Sequence, residues 1–204
     1  VEVLGGSTLT TSSMNMGVHH NSTTDRSGNG TLTISGAGSQ WTGSSATTIG
    51  SNGRATVSIA AGGKAIITGA ATLGNGATSV GTVTVSGTGS RWEISAGTLT
   101  IGGSGTGEFN VNAGATAKTG RINLASSANS SGALTVTGVG SRFEAGQIWA
   151  GQGSAAMISV NAGGVLQGTH LLLGTTATGE GRAELRGAGS LIASGTLTGY
   201  HAAP

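Results

Sequence analysis

A register that returns every 24 to 26 residues constrains this chain more than any other feature. The second apolar residue of each short alternating run falls at Ile34, Ile59, Val85, Val111, Val136, Val160 and Leu185. The runs themselves ("TLTIS", "ATVSIA", "TVTVS", "ALTVT", "MISV") alternate apolar and polar residues and are rich in Val, Ile, Leu and Thr, the pattern of half-buried β-strands. An apolar–small pair recurs at the same period: Met16-Gly17, Ile49-Gly50, Leu73-Gly74, Ile101-Gly102, Leu124-Ala125, Trp149-Ala150 and Leu173-Gly174. The turn after each run comes in two forms that alternate. One is "SGAGSQW", "SGTGSRW", "TGVGSRF" and "RGAGSLI"; the other is "AAGGK", "NAGAT" and "NAGGV". The Gly-x-Gly of the first form could suit a phosphate loop, but a ligand loop is seldom copied four times, whereas a structural turn often is. The links between units alternate as well. Two residues separate Gly50 from Gly53, Gly102 from Gly105 and Ala150 from Gly153; six separate Gly74 from Gly81, Ala125 from Gly132 and Gly174 from Gly181.

These markers define an all-β parallel β-helix of about eight coils, with a coil of roughly 25 residues and a double repeat of roughly 51 residues. A single coil cannot bury its own apolar face; stacked coils, about 4.8 Å apart, share one core. Residues 1–204 form one such segment. Composition agrees. With 41 Gly and 8% charged residues the chain could be disordered, but its 36% of hydrophobic residues are placed periodically rather than scattered. The predicted inward column is Ile34, Ile59, Val85, Val111, Val136, Val160 and Leu185. Trp41, Trp92, Phe143 and Ile192 share the end of the first turn form and are expected to make a structural stripe on alternate coils, about 10 Å apart, with Ile66 at the same offset between two of them. The competing reading of that stripe is an exposed track of sugar-stacking platforms.

The stretches "GTLTISGAGSQW", "GTVTVSGTGSRW" and "GALTVTGVGSRF", followed by "TIGSNG" or "LTIGGSG", resemble passenger-domain repeats of monomeric (type Va) bacterial autotransporter adhesins, over about Gly30 to Gly199. The resemblance implies a right-handed helix, export from a Gram-negative cell, and display on the extracellular side of the outer membrane. It also implies a C-terminal membrane barrel, expected to lie outside residues 1–204. The chain begins mid-pattern at Val1, and is expected to be a piece of a longer passenger. The lack of Cys fits passage through an oxidising periplasm without premature cross-linking. The partners implied are a host extracellular-matrix protein or glycan, with stalk function or self-association between neighbouring cells as alternatives and a β-helical polysaccharide-degrading enzyme as a distant one.

Chemistry has few residues to work with. Seven acids are present, and only Glu93 and Glu144 repeat, each two residues after an Arg (Arg91, Arg142). That repetition points to solvated surface pairs, so no catalytic residue is assigned and the chain is expected not to be an enzyme. No metal site or cofactor is expected, since the His residues and the single Asp give no ligand set. The net charge of +2 comes from nine Lys/Arg spread along the chain without clustering, and aromatics are 3%, so no nucleic-acid partner is expected. One departure stands out. The twelve residues "VHHNSTTDRSGN" at 18–29 occupy a link that elsewhere holds six, and they bring His19, His20, Asp25 and Arg26 together. Insertions in solenoids project from one face, which makes these four the candidate partner-contact residues.

Overall fold

The computed structural model describes residues 1–18 and 28–199. His19, His20, Asp25 and Arg26 of the long link lie outside the described residues. The described residues contain 21 strands and no helix, and the strands pair in parallel from coil to coil. An eight-stranded sheet is built from Glu2–Leu4 and seven seven-residue strands: Asn29–Ser35, Arg54–Ala60, Val80–Ser86, Thr106–Asn112, Ser131–Thr137, Ala155–Asn161 and Glu180–Arg186. A second, 13-stranded sheet collects the rest of each coil, as two short strands in five coils and as one nine-residue strand in three (Thr116–Leu124, Arg142–Ala150 and Val165–Leu173). The object is a parallel β-solenoid of about seven turns.

The predicted inward column exists rung by rung. Val3, Ile34, Ile59, Val85, Val111, Val136, Val160 and Leu185 are register partners in succession. All but Leu185 are buried, each side chain contributing about 1.5–3 kcal/mol. Leu185 points inward yet is 47% exposed, because no described coil stacks on its upper side.

The two turn forms differ in length by one residue. In the first form seven positions separate the inward residue from its counterpart on the next strand (Ile34 to Trp41, Val85 to Trp92, Val136 to Phe143); in the second, six do (Ile59 to Ala65, Val111 to Ala117, Val160 to Leu166). Because strand side chains alternate faces, one residue decides which of two neighbours enters the core. This corrects two expectations. Ala65, not Ile66, lies between Trp41 and Trp92 in the column, and Leu191, not Ile192, continues it above Leu166. The "RGAGSLI" turn has the sequence of the longer form but the conformation of the shorter. Its left-handed residues are the adjacent Gly187 and Ala188, as in Ala61-Gly62 and Ala162-Gly163, rather than the two glycines of Gly36-Ala37-Gly38. Ile192 consequently faces outward beside Gln167 and is 45% exposed. The apolar pattern alone could not exclude this, since Leu191 and Ile192 satisfy either register.

The apolar–small pair also shifts in one coil. Ala150 pairs with Leu124 and Leu173, so the coil-closing pair is Ala150-Gly151 and Trp149 faces outward. The second member of the pair is left-handed: Gly50, Gly74, Gly102, Ala125, Gly151 or Gly174. From there to the next first-sheet column (Ala55, Gly81, Gly107, Gly132, Ala156, Gly181) the links hold four and six residues alternately, not two and six. Ala55 and Ala156 occupy a column that glycine marks elsewhere, which is why counting to glycines misplaced it. Gly81 shows how tight the corner is: a Cβ there would meet the carbonyl oxygen of Ile49 at 2.0 Å.

The rings of the stripe are fully buried in Trp41, Trp92 and Phe143. They lie closer than the two-coil rise because they lean across the small residues between them. Trp41 and Trp92 meet edge to face at 6.2 Å across Ala65. In the next coil, where the column holds Ala117, Phe109 reaches over from the first sheet, 5.5 Å from Trp92 and 5.3 Å from Phe143. The four rings form one edge-to-face chain, an arrangement favoured by their quadrupoles. Phe109 is the member that the turn motif does not reveal.

Candidate functional site

The second sheet turns its inner face to this aromatic core, so the residues between the core positions form its outer face. Register partners there make columns parallel to the rod axis. One column runs Lys64, Arg91, Thr116, Arg142; the next, two residues along, runs Ile66, Glu93, Lys118, Glu144, Gln167. Arg91 pairs with Glu93 at 2.5 Å along its own strand, and Arg142 with Glu144 at 2.7 Å. Lys118 approaches Glu144 at 3.9 Å, and Arg142 also donates to the Gln167 Oε1. Glu93 and Glu144 therefore stand two rungs apart with the Lys118 ammonium between them. A third column sets Arg121 beside Gln147 and His170. The Arg121 Nε donates to Gln147 Oε1 at 3.0 Å, and its guanidinium lies 4.7 Å from the centre of the Trp149 ring. Trp149 is half-buried in a column otherwise rich in Thr and Asn.

The cations look dispersed along the sequence, but the eight that fall among the described residues are not dispersed in space. Among the described residues, Lys64, Arg91, Lys118 and Arg142, and Arg121 farther along the strand, stand on the outer side of this sheet with only Glu93 and Glu144. On the first sheet the balance is reversed: Arg54, Arg182 and Arg186 stand with Glu2, Glu108, Glu180 and Glu184. A 25-residue spacing hides such clustering from a sequence window. A cavity of about 200 Å³ opens on the cationic face, lined by Arg91, Thr116, Ala117, Lys118, Arg142 and Glu144. A larger cleft, about 630 Å³, lies elsewhere, against Gly132, Ala156, Met157, Leu173 and Gly181; its charged lining groups are Glu180 and Arg182 alone.

The first turn form has a structural part that its glycines conceal. Ser39, Ser90 and Ser141 are fully buried. Their hydroxyls accept hydrogen bonds from the backbone N–H of Gly6, Gly62 and Gly114 at 3.1, 3.0 and 3.0 Å, in each case from the shorter turn of the coil below. Among the described residues no three His, Cys, Asp or Glu side chains converge as a metal site would require.

No protein-family model matches the sequence, and no solved structure matches it. The chain is 37% identical over 123 residues, 57% of its length, to the adhesin BmaC autotransporter of Brucella suis biovar 1. It spans about 4% of the length of that curated relative. A parallel β-solenoid with a coil of about 25 residues, consistent with an autotransporter passenger, thus carries a distant sequence similarity to an autotransporter adhesin.

Proposed function

We propose that this solenoid is a segment of a bacterial surface adhesin, displayed outside the outer membrane, which attaches to host matrix protein or glycan by many shallow contacts. The similarity to an adhesin is the observation that carries this reading. The surface chemistry supports it. The two repeated carboxylates are each ion-paired to an Arg on the same strand, an arrangement that orders a face for recognition rather than preparing a proton donor or nucleophile. We read the chain as non-enzymatic on that basis. The link at 18–29, with His19, His20, Asp25 and Arg26, is proposed as a second contact region because of its length and its titratable residues.

The test is attachment of the folded 204-residue chain to arrayed matrix proteins and glycans and to host cells. Saturable binding supports the adhesin reading. Uniform absence of binding refutes it for this segment and leaves the rod as a spacer. Shortening 18–29 by six residues should leave thermal unfolding nearly unchanged, because loop-closure entropy varies slowly with length, and should weaken attachment. Unchanged attachment removes the link from the contact surface.

A further inference from the structure

We propose that the outer face of the second sheet binds an anionic polysaccharide, a linear glycan carrying carboxylate or sulfate groups. This deepens the adhesin reading and rests on it for the setting, but the binding stands on the geometry of the face.

Four observations converge. Lys64 and Arg91 are register partners, one rung apart, so two cationic residues sit side by side on strands about 4.8 Å apart. Direct like-charge neighbours destabilise a sheet, and among the described residues Lys64 has no carboxylate within ion-pair distance. An external anion would relieve that repulsion. Arg91 and Arg142 then flank the shorter Thr116, about 9.6 Å apart, over the cavity of about 200 Å³ to which Lys118 also contributes. The guanidinium groups keep unused N–H donors beyond their ion pairs, and the cavity has room for one anionic group held between them. Arg121 is the third point. It is held by Gln147 and the Trp149 ring rather than by an acid, so its charge is uncompensated among the described residues. Finally, Lys64, Arg91, Lys118 and Arg142 fall on four successive coils, a row about 14 Å long parallel to the axis. A row suits a linear polymer better than a compact ligand.

The two carboxylates on the face decide between polyanions. Glu93 and Glu144 are acceptors for sugar hydroxyls, whereas against a phosphate backbone they only repel. Trp149, the aromatic residue on this face, is covered by Arg121 and offers no open platform to a nucleic-acid base. A hydroxyl-rich anionic glycan uses every group present.

The experiment measures binding of the full chain to heparin, to hyaluronate and to double-stranded DNA as a function of salt. The wild type is compared with Lys64→Gln/Arg121→Gln and with Arg54→Gln/Arg182→Gln, which removes the same charge from the first sheet. Far-ultraviolet circular dichroism establishes that all three are folded. The expected result is salt-sensitive glycan binding that falls about tenfold in the second-sheet variant, with a shallower salt dependence, and is nearly unchanged in the first-sheet variant. Preference for heparin assigns the anion as sulfate; equal binding of hyaluronate assigns it as carboxylate. Equal losses in the two variants, no glycan binding, or tighter binding of DNA overturns the proposal. Its failure is separable from that of the adhesin reading: attachment to cells that survives enzymatic removal of anionic glycans keeps the adhesin and discards this site, and glycan binding without cell attachment does the reverse.

Discussion

Replacing each buried tryptophan by phenylalanine separates two environments that the repeat makes look identical. Trp41 and Trp92 occupy the same column, two coils apart, and both are fully buried. The Trp41 Nε1–H donates to the Thr11 Oγ1 at 3.0 Å. Thr11 lies two residues beyond Leu9 on the coil below, and the corresponding residue below Trp92 is Ile67, which has no acceptor. The Trp92 Nε1–H is therefore buried without a partner.

Trp→Phe removes the same atoms at both sites, so the transfer and cavity losses are shared, at about 1–2 kcal/mol. The N–H makes the difference. Trp41→Phe also breaks a hydrogen bond worth about 1 kcal/mol, whereas Trp92→Phe removes an unsatisfied donor whose burial costs about 1–3 kcal/mol. Trp41→Phe should thus lose about 2–3 kcal/mol, and Trp92→Phe should lie near neutrality. The gap of about 2–4 kcal/mol corresponds to roughly 4–16 °C in the unfolding midpoint for a chain of this size. Differential scanning calorimetry on both variants and the wild type reads it directly. Equal losses would refute the reasoning, as would a larger loss for Trp92→Phe, because either outcome means that the orphan donor carries no cost.

Further expectations follow from the turns and the column. Ser90→Ala strands the Gly62 N–H and should cost about 1–3 kcal/mol, while Ser190→Ala, at an exposed position, should be neutral in the same denaturation assay. Leu191→Ala should destabilise the chain more than Ile192→Ala, since only Leu191 packs against the core; the reverse order would restore the longer-turn register in the eighth coil. Phe109→Ala should cost about 3–5 kcal/mol, because it breaks the chain of rings between Trp92 and Phe143.

The columns of the first sheet were legible in the sequence because Ile, Val and Leu recur there at one phase, and each seven-residue strand gives three inward positions to fix it. The second sheet was less legible. Its strands after the turn are only four residues long in the first coils, and phase there depends on turn length, which glycine counting measures poorly. Hence the apolar pattern puts Ile66, Ile192 and Trp149 in the core columns, although each is one position out of register. The cationic face was invisible for a different reason. Lys64, Arg91, Lys118 and Arg142 are 24 to 27 residues apart, farther than any local window reaches, and only stacking makes them neighbours.

The eighth coil explains why the repeat is a pair of coils rather than one. Wherever a longer turn lies over a shorter one, its serine hydroxyl takes the N–H of the glycine beneath, as Ser39, Ser90 and Ser141 do. Two shorter turns in succession have no such serine. That case occurs once, where the turn at Gly187-Ala188 lies over Ala162-Gly163; there the Gly163 N–H donates to the Gly187 carbonyl at 3.1 Å, and Ser190 is released to the surface. The amide is satisfied in both arrangements, so satisfaction alone does not select the alternation. Core volume does. The longer turn delivers the large rings of Trp41, Trp92 and Phe143, and the shorter turn delivers Ala65 and Ala117 between the first three and Leu166 above the last. Rings of that size cannot stack at about 4.8 Å on every rung while leaning edge to face, so a small residue must intervene or a ring must come from the opposite sheet, as Phe109 does. The two-coil period is therefore set by the width of an indole, and the buried serine is the device that lets two turns of unequal length share one corner.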